Sequence, residues 1–368
     1  MWTRAIVWAL AVLCGAGPGA AGEPSTTLLE GRVLNAETDA PLPRTHVFVA
    51  ESMAGTVTDS TGRFRLEGVR PGPKRLQISR VGYEKRSLSL RLRPGRSTVV
   101  TVRLDTKVLD SPPVTVSAER DEEWYEHLDR FKRLFIGNSA RADQCTLVNP
   151  EVLRFDDKWW GRFEAWAEKP VIIENRALGY RITYVLKEFE ASGSVVRWDG
   201  EPLFDPLSPR DSAQAARWRQ NRRMAYRGSL RHFLRALMDD RLDEEQFALY
   251  RLPRASAFRH AGRADRRPTS RDRIVEPGPD STYLLSARNR LEVVYHGEPE
   301  RAAYLEWANQ RRRTPRDHQT SQIELNERPL HLDPSGDIVE PYGATLYQYF
   351  AFTTRMAGRL PREYEPPS

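Results

Sequence analysis

The segment AYRGSLRHFLRAL, residues 225–237, gathers more groups able to do chemistry than any other stretch of this chain. Arg227, Ser229, Arg231, His232 and Arg235 fall where a helix is predicted to begin. Free backbone amides and the helix dipole favour an anion at such a point. Ser229 and His232 are three residues apart and share a helix face. One reading is a site for an anion or an acidic partner. The more ordinary reading uses the same residues structurally. Ser229 is then an N-cap, His232 a half-buried helix residue, and the arginines are solvated or paired with Asp239, Asp240 and Glu244.

No catalytic spacing stands out elsewhere. The seven histidines are followed by VFV, LDR, FLR, AGR, GEP, QTS and LDP. None gives the H-x-x-E or H-E-x-x-H spacing that aims two ligands at one zinc ion. There is no G-x-S-x-G elbow, no S-x-x-K and no G-K-[ST] phosphate loop. No metal and no cofactor is expected, and no catalytic residue is assigned. Cys145, in QCTLVNP, is read as a packed thiol rather than a nucleophile.

The patch RWRQNRRMAYRGSLRHFLR interleaves Trp218, Tyr226 and Phe233 with arginine. Such a pattern can bind nucleic acid, but the N-terminus argues for export. Residues 1–22 carry Arg4, an apolar run from Ala5 to Cys14 and the small residues Gly19 to Gly22, which is the form of a secretory signal peptide. Leu13 stands where a lipoprotein signal needs a small residue before Cys14. No nucleic acid is therefore expected. An acidic glycan, a lipid phosphate surface or an envelope protein fits an exported basic chain better. Trp159, Trp160 and Trp198 offer a sugar-stacking platform, although tryptophans at strand spacing are more often core.

The chain has 368 residues and a formal net charge of +7, and only seven of its 57 basic residues are lysine. This length allows two ordinary domains. No segment after the leader is long and apolar enough to span a bilayer.

The elements that must position these residues fall into two regions. Leu28 to Leu104 reads as short alternating strands with turn signals between them, a β-sandwich pattern. Asp59-Ser60-Thr61-Gly62 is a hairpin turn, after which Phe64 and Leu66 face one way. Leu76 and Ile78 point inward with Val81 in register, and Leu88, Leu90, Leu92 and Val100, Val102, Leu104 alternate. VLDSPPVTVSAERDEEW reads as a linker.

The remainder mixes helices and strands. EEWYEHLDRFKRLFIG is an amphipathic helix closed by Gly137. Strands are predicted around Phe163–Trp166, Val171–Glu174 and Tyr180–Phe189, with a strand and turn in SVVRWDGEPLF. RDSAQAARWRQNRRMAYRGSLRHFLRALMDD is helical, and DEEQFALYRL opens with Asp243 and Gln246 at capping-box spacing. Residues 258–273 read as a loop, TYLLSARNRLEVVYHG as two strands and AAYLEWANQRRR as a short helix.

Residues Gly31, Val33, Pro41, Leu42, Thr45, Val47, Gly55, Thr58, Asp59, Gly62, Phe64, Gly68, Gly82 and Tyr83 follow the pattern of the carboxypeptidase regulatory-like domain. The segment resembles that transthyretin-like sandwich over about 80 residues. The resemblance implies a fold and no activity, because the domain is an accessory of peptidases, surface proteins and outer-membrane receptors. VTVSAER is similar to the segment that opens the plug of TonB-dependent receptors, but the residues that follow lack the repeated strands of a receptor barrel. The second region resembles envelope proteins of Gram-negative bacteria that join this sandwich to a domain without an assigned activity. Phe135, Gly137, Cys145, Asn149, Pro150, Glu174, Asn175, Leu178, Gly179 and Tyr180 carry that resemblance. So do the 223–234 stretch and the tail residues Leu360, Pro361, Tyr364 and Pro366.

The expected organisation is a signal peptide at 1–22, a mainly β transthyretin- or immunoglobulin-like sandwich at 27–105, a linker at 106–120 and an α+β domain at 121–368. The expected function is non-catalytic binding or scaffolding in the periplasm or at the outer membrane. A glycan-binding envelope protein and an envelope hydrolase with a non-sequential site are the alternatives.

Overall fold

Strict alternation of apolar and polar residues makes one face of each early strand oily, and two such faces bury each other. The computed structural model describes residues 27–107, 121–159, 161–193, 195–253, 266–279, 282–312, 314–340 and 342–367. The leader, most of the linker and Trp160 lie outside these residues.

The first unit contains β1 (Thr27–Asn35), β2 (His46–Val49), β3 (Gly55–Val57), β4 (Arg63–Val69), β5 (Gly72–Ser79), β6 (Arg86–Leu92) and β7 (Ser97–Leu104). One sheet has the order β4-β1-β7 and the other β3-β2-β5-β6. Leu29, Val33, Val47, Phe64, Leu66, Leu76, Ile78 and Val102 fill the space between them. The Asp59 carboxylate accepts from the amides of Thr61 and Arg63 and so holds the hairpin turn. Gly62 closes it at φ +75°, where a Cβ would lie 2.6 Å from the Val33 carbonyl oxygen. Only glycine meets both conditions cheaply. Val81, expected to point inward, is 92% exposed. The strand has ended at Ser79 and the chain is turning through Gly82.

The region from residue 121 onward is built on two large cores. The first belongs to α1 (Glu122–Phe131), β8 (Cys145–Leu147), β9 (Leu153–Lys158), β10 (Arg162–Ala167), β11 (Val171–Asn175), β12 (Tyr180–Ser192) and β13 (Val195–Pro206). The long strand β12 pairs with β13 along one side, and with β11 and β10 along the other. Asp121 caps α1, and Leu128 and Phe131 bury its apolar stripe. Phe131 packs against Phe135 and Phe189 with ring centroids 4.9 Å apart in each case. The turn expected within SVVRWDGEPLF is absent: β13 continues through Asp199-Gly200, and the β12–β13 register shifts opposite that pair. A Cβ on Gly200 would lie 2.4 Å from the Tyr184 ring, so this glycine makes room for a cross-strand aromatic.

Next come α2 (Ser212–Tyr226) and α3 (Leu230–Met238), separated by Gly228 at φ +67°. The second core lies under α3. It uses β14 (Phe247–Arg251), β16 (Val275–Pro277), β17 (Tyr283–Leu285), β18 (Leu291–Tyr295), β19 (Gln319–Leu325), β20 (Leu330–Leu332), β21 (Ala344–Gln348) and Phe350 of α5 (Tyr349–Thr353). The short β15 (Arg267–Pro268) is exposed at the sheet edge, and α4 (Ala302–Trp307) packs with Tyr349 and Phe352 in a separate small cluster. The sheets have orders β15-β14-β18-β19-β21 and β16-β17-β20. The capping-box reading at Asp243 fails, because those residues form a turn with Gln246 at φ +61°. Phe247 and Leu249 then bury alternately, with the period of a strand. Residues 258–265 of the expected loop lie outside the described residues, and its later part supplies β15.

Candidate functional site

Ser229 is the N-cap of α3, its side chain accepting from the His232 amide 3.2 Å away. His232 is 5% exposed. Its Nδ1 accepts from the Gly228 amide at 3.1 Å, so Nε2 carries the proton and donates to Glu245 at 3.0 Å. Burial holds the imidazole below the usual histidine range, against the pull of Glu245. Both ring nitrogens are occupied, and neither faces the Ser229 hydroxyl.

Arg231 turns the other way. It pairs with Asp337 at 3.1 Å and donates to the carbonyls of Leu360 and Pro361. Arg235 is half-buried beside Gly336, and Arg227 is exposed. The structure thus divides these five residues between two neighbourhoods. Trp218, Tyr226 and Phe233, the aromatics of the basic patch, are buried. Of the proposed sugar platform, Trp159 is 91% exposed at the β9–β10 turn, and Trp198 is half-buried.

Arg231 leads to a buried charged junction where the sandwich, β13 and the chain's tail meet. The sandwich reaches it by main chain as well as side chain. The Glu51 amide donates to the Pro202 carbonyl at 2.7 Å, the Phe204 amide to Ser52 at 3.0 Å and the Arg362 amide to Glu51 at 2.8 Å. Glu51 itself sits at φ +62°, a left-handed conformation that is costly for a residue with a Cβ. Its carboxylate pairs with Arg359 at 2.5 Å and faces Arg362 at 3.6 Å.

Arg362 also pairs with Asp333 at 3.2 Å and Asp337 at 3.1 Å. Lys74, from β5, reaches Asp333 at 3.7 Å. Nearby, Glu201 on β13 holds Lys187 at 2.6 Å and the sandwich's Arg75 at 3.4 Å. Burial alone would raise the Glu51 carboxyl, but Arg359 and Arg362 hold it down at about 2. Glu201 goes the opposite way, because its burial outweighs Arg75 and Lys187 and raises its carboxyl above the usual range. Lys74 is lowered by burial despite Asp333.

Against this junction lies a cleft of about 500 Å³, between β13, the start of α3, β21 and the segment after α5. Its aromatic lining is Trp198, Tyr226, Trp307, Tyr342 and Tyr347. Its charged lining is Glu51, Arg197, Arg231, Asp337, Arg355 and Arg359. Among the described residues there is no group of three or more His, Cys, Asp or Glu side chains able to hold a metal ion.

The sandwich strands and the hairpin turn at Asp59 match a known pattern. The chain carries a carboxypeptidase regulatory-like domain at residues 29–105. No curated protein matches the chain. Solved structures are similar to it over a short part only. A cohesin–X-dockerin complex from Acetivibrio cellulolyticus shares 20% identity over 22% of this chain and 58% of that one, with a TM-score of 0.19. A minor pilin from Streptococcus agalactiae shares 17% over 24% and 48%, at 0.20. Catechol 1,2-dioxygenase from Acinetobacter sp. ADP1 shares 14% over 26% and 59%, also at 0.20. The chain thus spans less than two thirds of each of these three.

Sequence reasoning missed the junction residues. One signal was present: Lys74 alternates with Leu76 and Ile78 on the inward face of β5. A lysine in that register requires a buried acid. The acid, Asp333, lies more than 250 positions away, so nothing local named it. Likewise the tail motif Leu360-Pro361 drew attention, while the flanking Arg359 and Arg362 did not.

Proposed function

We propose that this protein is a non-catalytic binding or scaffolding protein of the bacterial envelope, exported to the periplasm or the outer membrane's inner face. The observation that carries the reading is the junction. Main-chain hydrogen bonds and buried ion pairs join the regulatory-like sandwich to the rest of the chain. A tethered accessory needs no such investment. A sandwich held in one orientation presents its edges and loops as a fixed surface, at low entropic cost to a partner. The edge strand β7 carries Val99 at 72% exposure, an apolar residue on an accessible strand. Ser229 and His232 are both spent on local hydrogen bonds, which favours binding over hydrolysis at that segment.

The test is mild crosslinking in the native envelope, followed by affinity purification of the tagged protein and mass spectrometry. One stoichiometric envelope partner, with crosslinks mapping to the sandwich and recovery reduced by Val99→Glu, is the expected result. Recovery of the protein alone overturns the proposal.

A further inference from the structure

The cleft beside the junction contains a charge that the fold leaves unbalanced. Of its six charged lining residues, Arg231 pairs with Asp337 and Arg359 with Glu51. Arg197 and Arg355 have no carboxylate partner among the described ion pairs.

Arg355 is the more telling of the two, because it is mostly buried. Its Nη1 donates to the Leu134 carbonyl at 2.6 Å. Its Nε has no hydrogen-bond partner. Its guanidinium lies 5.1 Å from the centre of the Trp198 ring. The backbone carbonyl and the ring fix where the guanidinium sits without neutralising it. Burial lowers its pKa to about 10, and no acidic neighbour opposes that shift. A buried guanidinium normally has a carboxylate or phosphate partner, because an unpaired buried charge is expensive. Here the missing anion has somewhere to come from, since Arg355 lines a cavity of ligand size.

We infer that this cleft is a binding site for a ring-bearing carboxylate of the acidic-sugar class, with Arg355 as the carboxylate receptor. The planar guanidinium matches a carboxylate better than it matches a neutral hydroxyl. Trp198 and Trp307, both half-buried on the cleft wall, supply the faces on which a sugar ring stacks. Gln348 on the same wall offers its side-chain amide, while Asn326 and Thr345 bond each other and Thr354 donates to the Phe350 carbonyl, so these three offer sugar hydroxyls only their remaining oxygen lone pairs. Arg197, exposed at the rim, adds long-range attraction for an anion. Aromatic walls of this extent give inorganic phosphate nothing to stack on, so an anion with a ring is favoured over a bare one. The site is separate from the sandwich edges on which the scaffold reading rests, and each proposal can fail without the other.

The experiment is calorimetric titration of the whole mature protein with sodium glucuronate, with glucose and with inorganic phosphate, followed by intrinsic tryptophan fluorescence. Saturable binding of glucuronate, without binding of glucose, is the expected result. Arg355→Met should weaken it by about tenfold or more, the loss of one charge-assisted hydrogen-bonded contact. Arg197→Ala, at an exposed position that does not endanger folding, should weaken it by a smaller factor that shrinks with added salt. Arg141→Met is the control. Arg141 is also a buried arginine with an unpartnered Nε, but it does not line this cleft, so its replacement should leave glucuronate affinity unchanged. Any of three results overturns the proposal: no glucuronate binding up to about 10 mM, a range covering even weak affinities; glucose or phosphate binding as tightly as glucuronate; or unchanged affinity in Arg355→Met, whatever Arg197→Ala does.

Discussion

Replacing Glu51 by glutamine removes one negative charge from the junction and changes its shape hardly at all. The surroundings set the magnitude. Glu51 is 7% exposed and its carboxyl is held at about 2, against an ordinary value of 4.5. At 1.36 kcal/mol per pKa unit, the ionised form is worth about 3 kcal/mol to the folded state at neutral pH. The glutamine also leaves Arg359 and Arg362 without their shared carboxylate, and removing one partner of a buried pair costs about 3–5 kcal/mol.

The sign follows from the depressed folded-state pKa. The stabilisation is fully present above about pH 4.5, and it is lost as pH falls toward about 2, where Glu51 protonates in the folded protein too. Urea unfolding followed by tryptophan fluorescence should therefore show Glu51→Gln to be less stable by about 3 kcal/mol at pH 7. The gap between wild type and variant should close as pH falls from about 4.5 to about 2. A loss below about 0.5 kcal/mol at pH 7, the size of an ordinary surface change, would refute the claim that Glu51 holds the junction. So would a gap that stays constant with pH.

Other positions give independent checks. Glu201→Gln should cost less than Glu51→Gln and reverse the pH trend, because burial raises the Glu201 carboxyl and wild type gains relative stability as it protonates; a loss at pH 7 equal to that of Glu51→Gln would contradict this. Gly179→Ala should destabilise by about 2 kcal/mol or more, since Gly179 sits at φ +72° and a Cβ there would lie 2.3 Å from the Trp218 ring; an unchanged urea midpoint would argue against this packing. Burial pushes the Cys145 thiol up to about 12, so a disulfide reagent should label it slowly in the native protein and fully in urea; rapid native labelling would contradict a packed thiol.

What the sequence alone determined was local. The sandwich was legible because strand alternation and the Asp59–Gly62 turn are short-range patterns, and because Gly31 and Phe64 stand where the regulatory-like pattern has them. Gly31 shows why such a pattern is narrow: a Cβ there would come within 2.2 Å of the Val100 carbonyl oxygen and 2.7 Å of the Phe64 ring. The cap at Ser229 was readable for the same reason, since a cap spans three residues.

Tertiary structure decided the rest. The segment SVVRWDGEPLF read as a strand and turn, and only the Tyr184 ring across the sheet shows why its Gly200 lies mid-strand. The candidate site at 227–235 looked like one cluster in sequence. The fold sends His232 to Glu245 and Arg231 to Asp337 and the tail. The junction joins Glu51, Lys74, Asp333 and Arg362 across nearly the whole described chain, and the cleft draws its walls from β13, α3, β21 and the tail. Lys74 apart, each of those charges, read alone, is an ordinary surface residue. Only the folded chain shows that Glu51 and Asp333 have partners in the interior, and that Arg355 lines a cavity with no carboxylate partner among the described ion pairs.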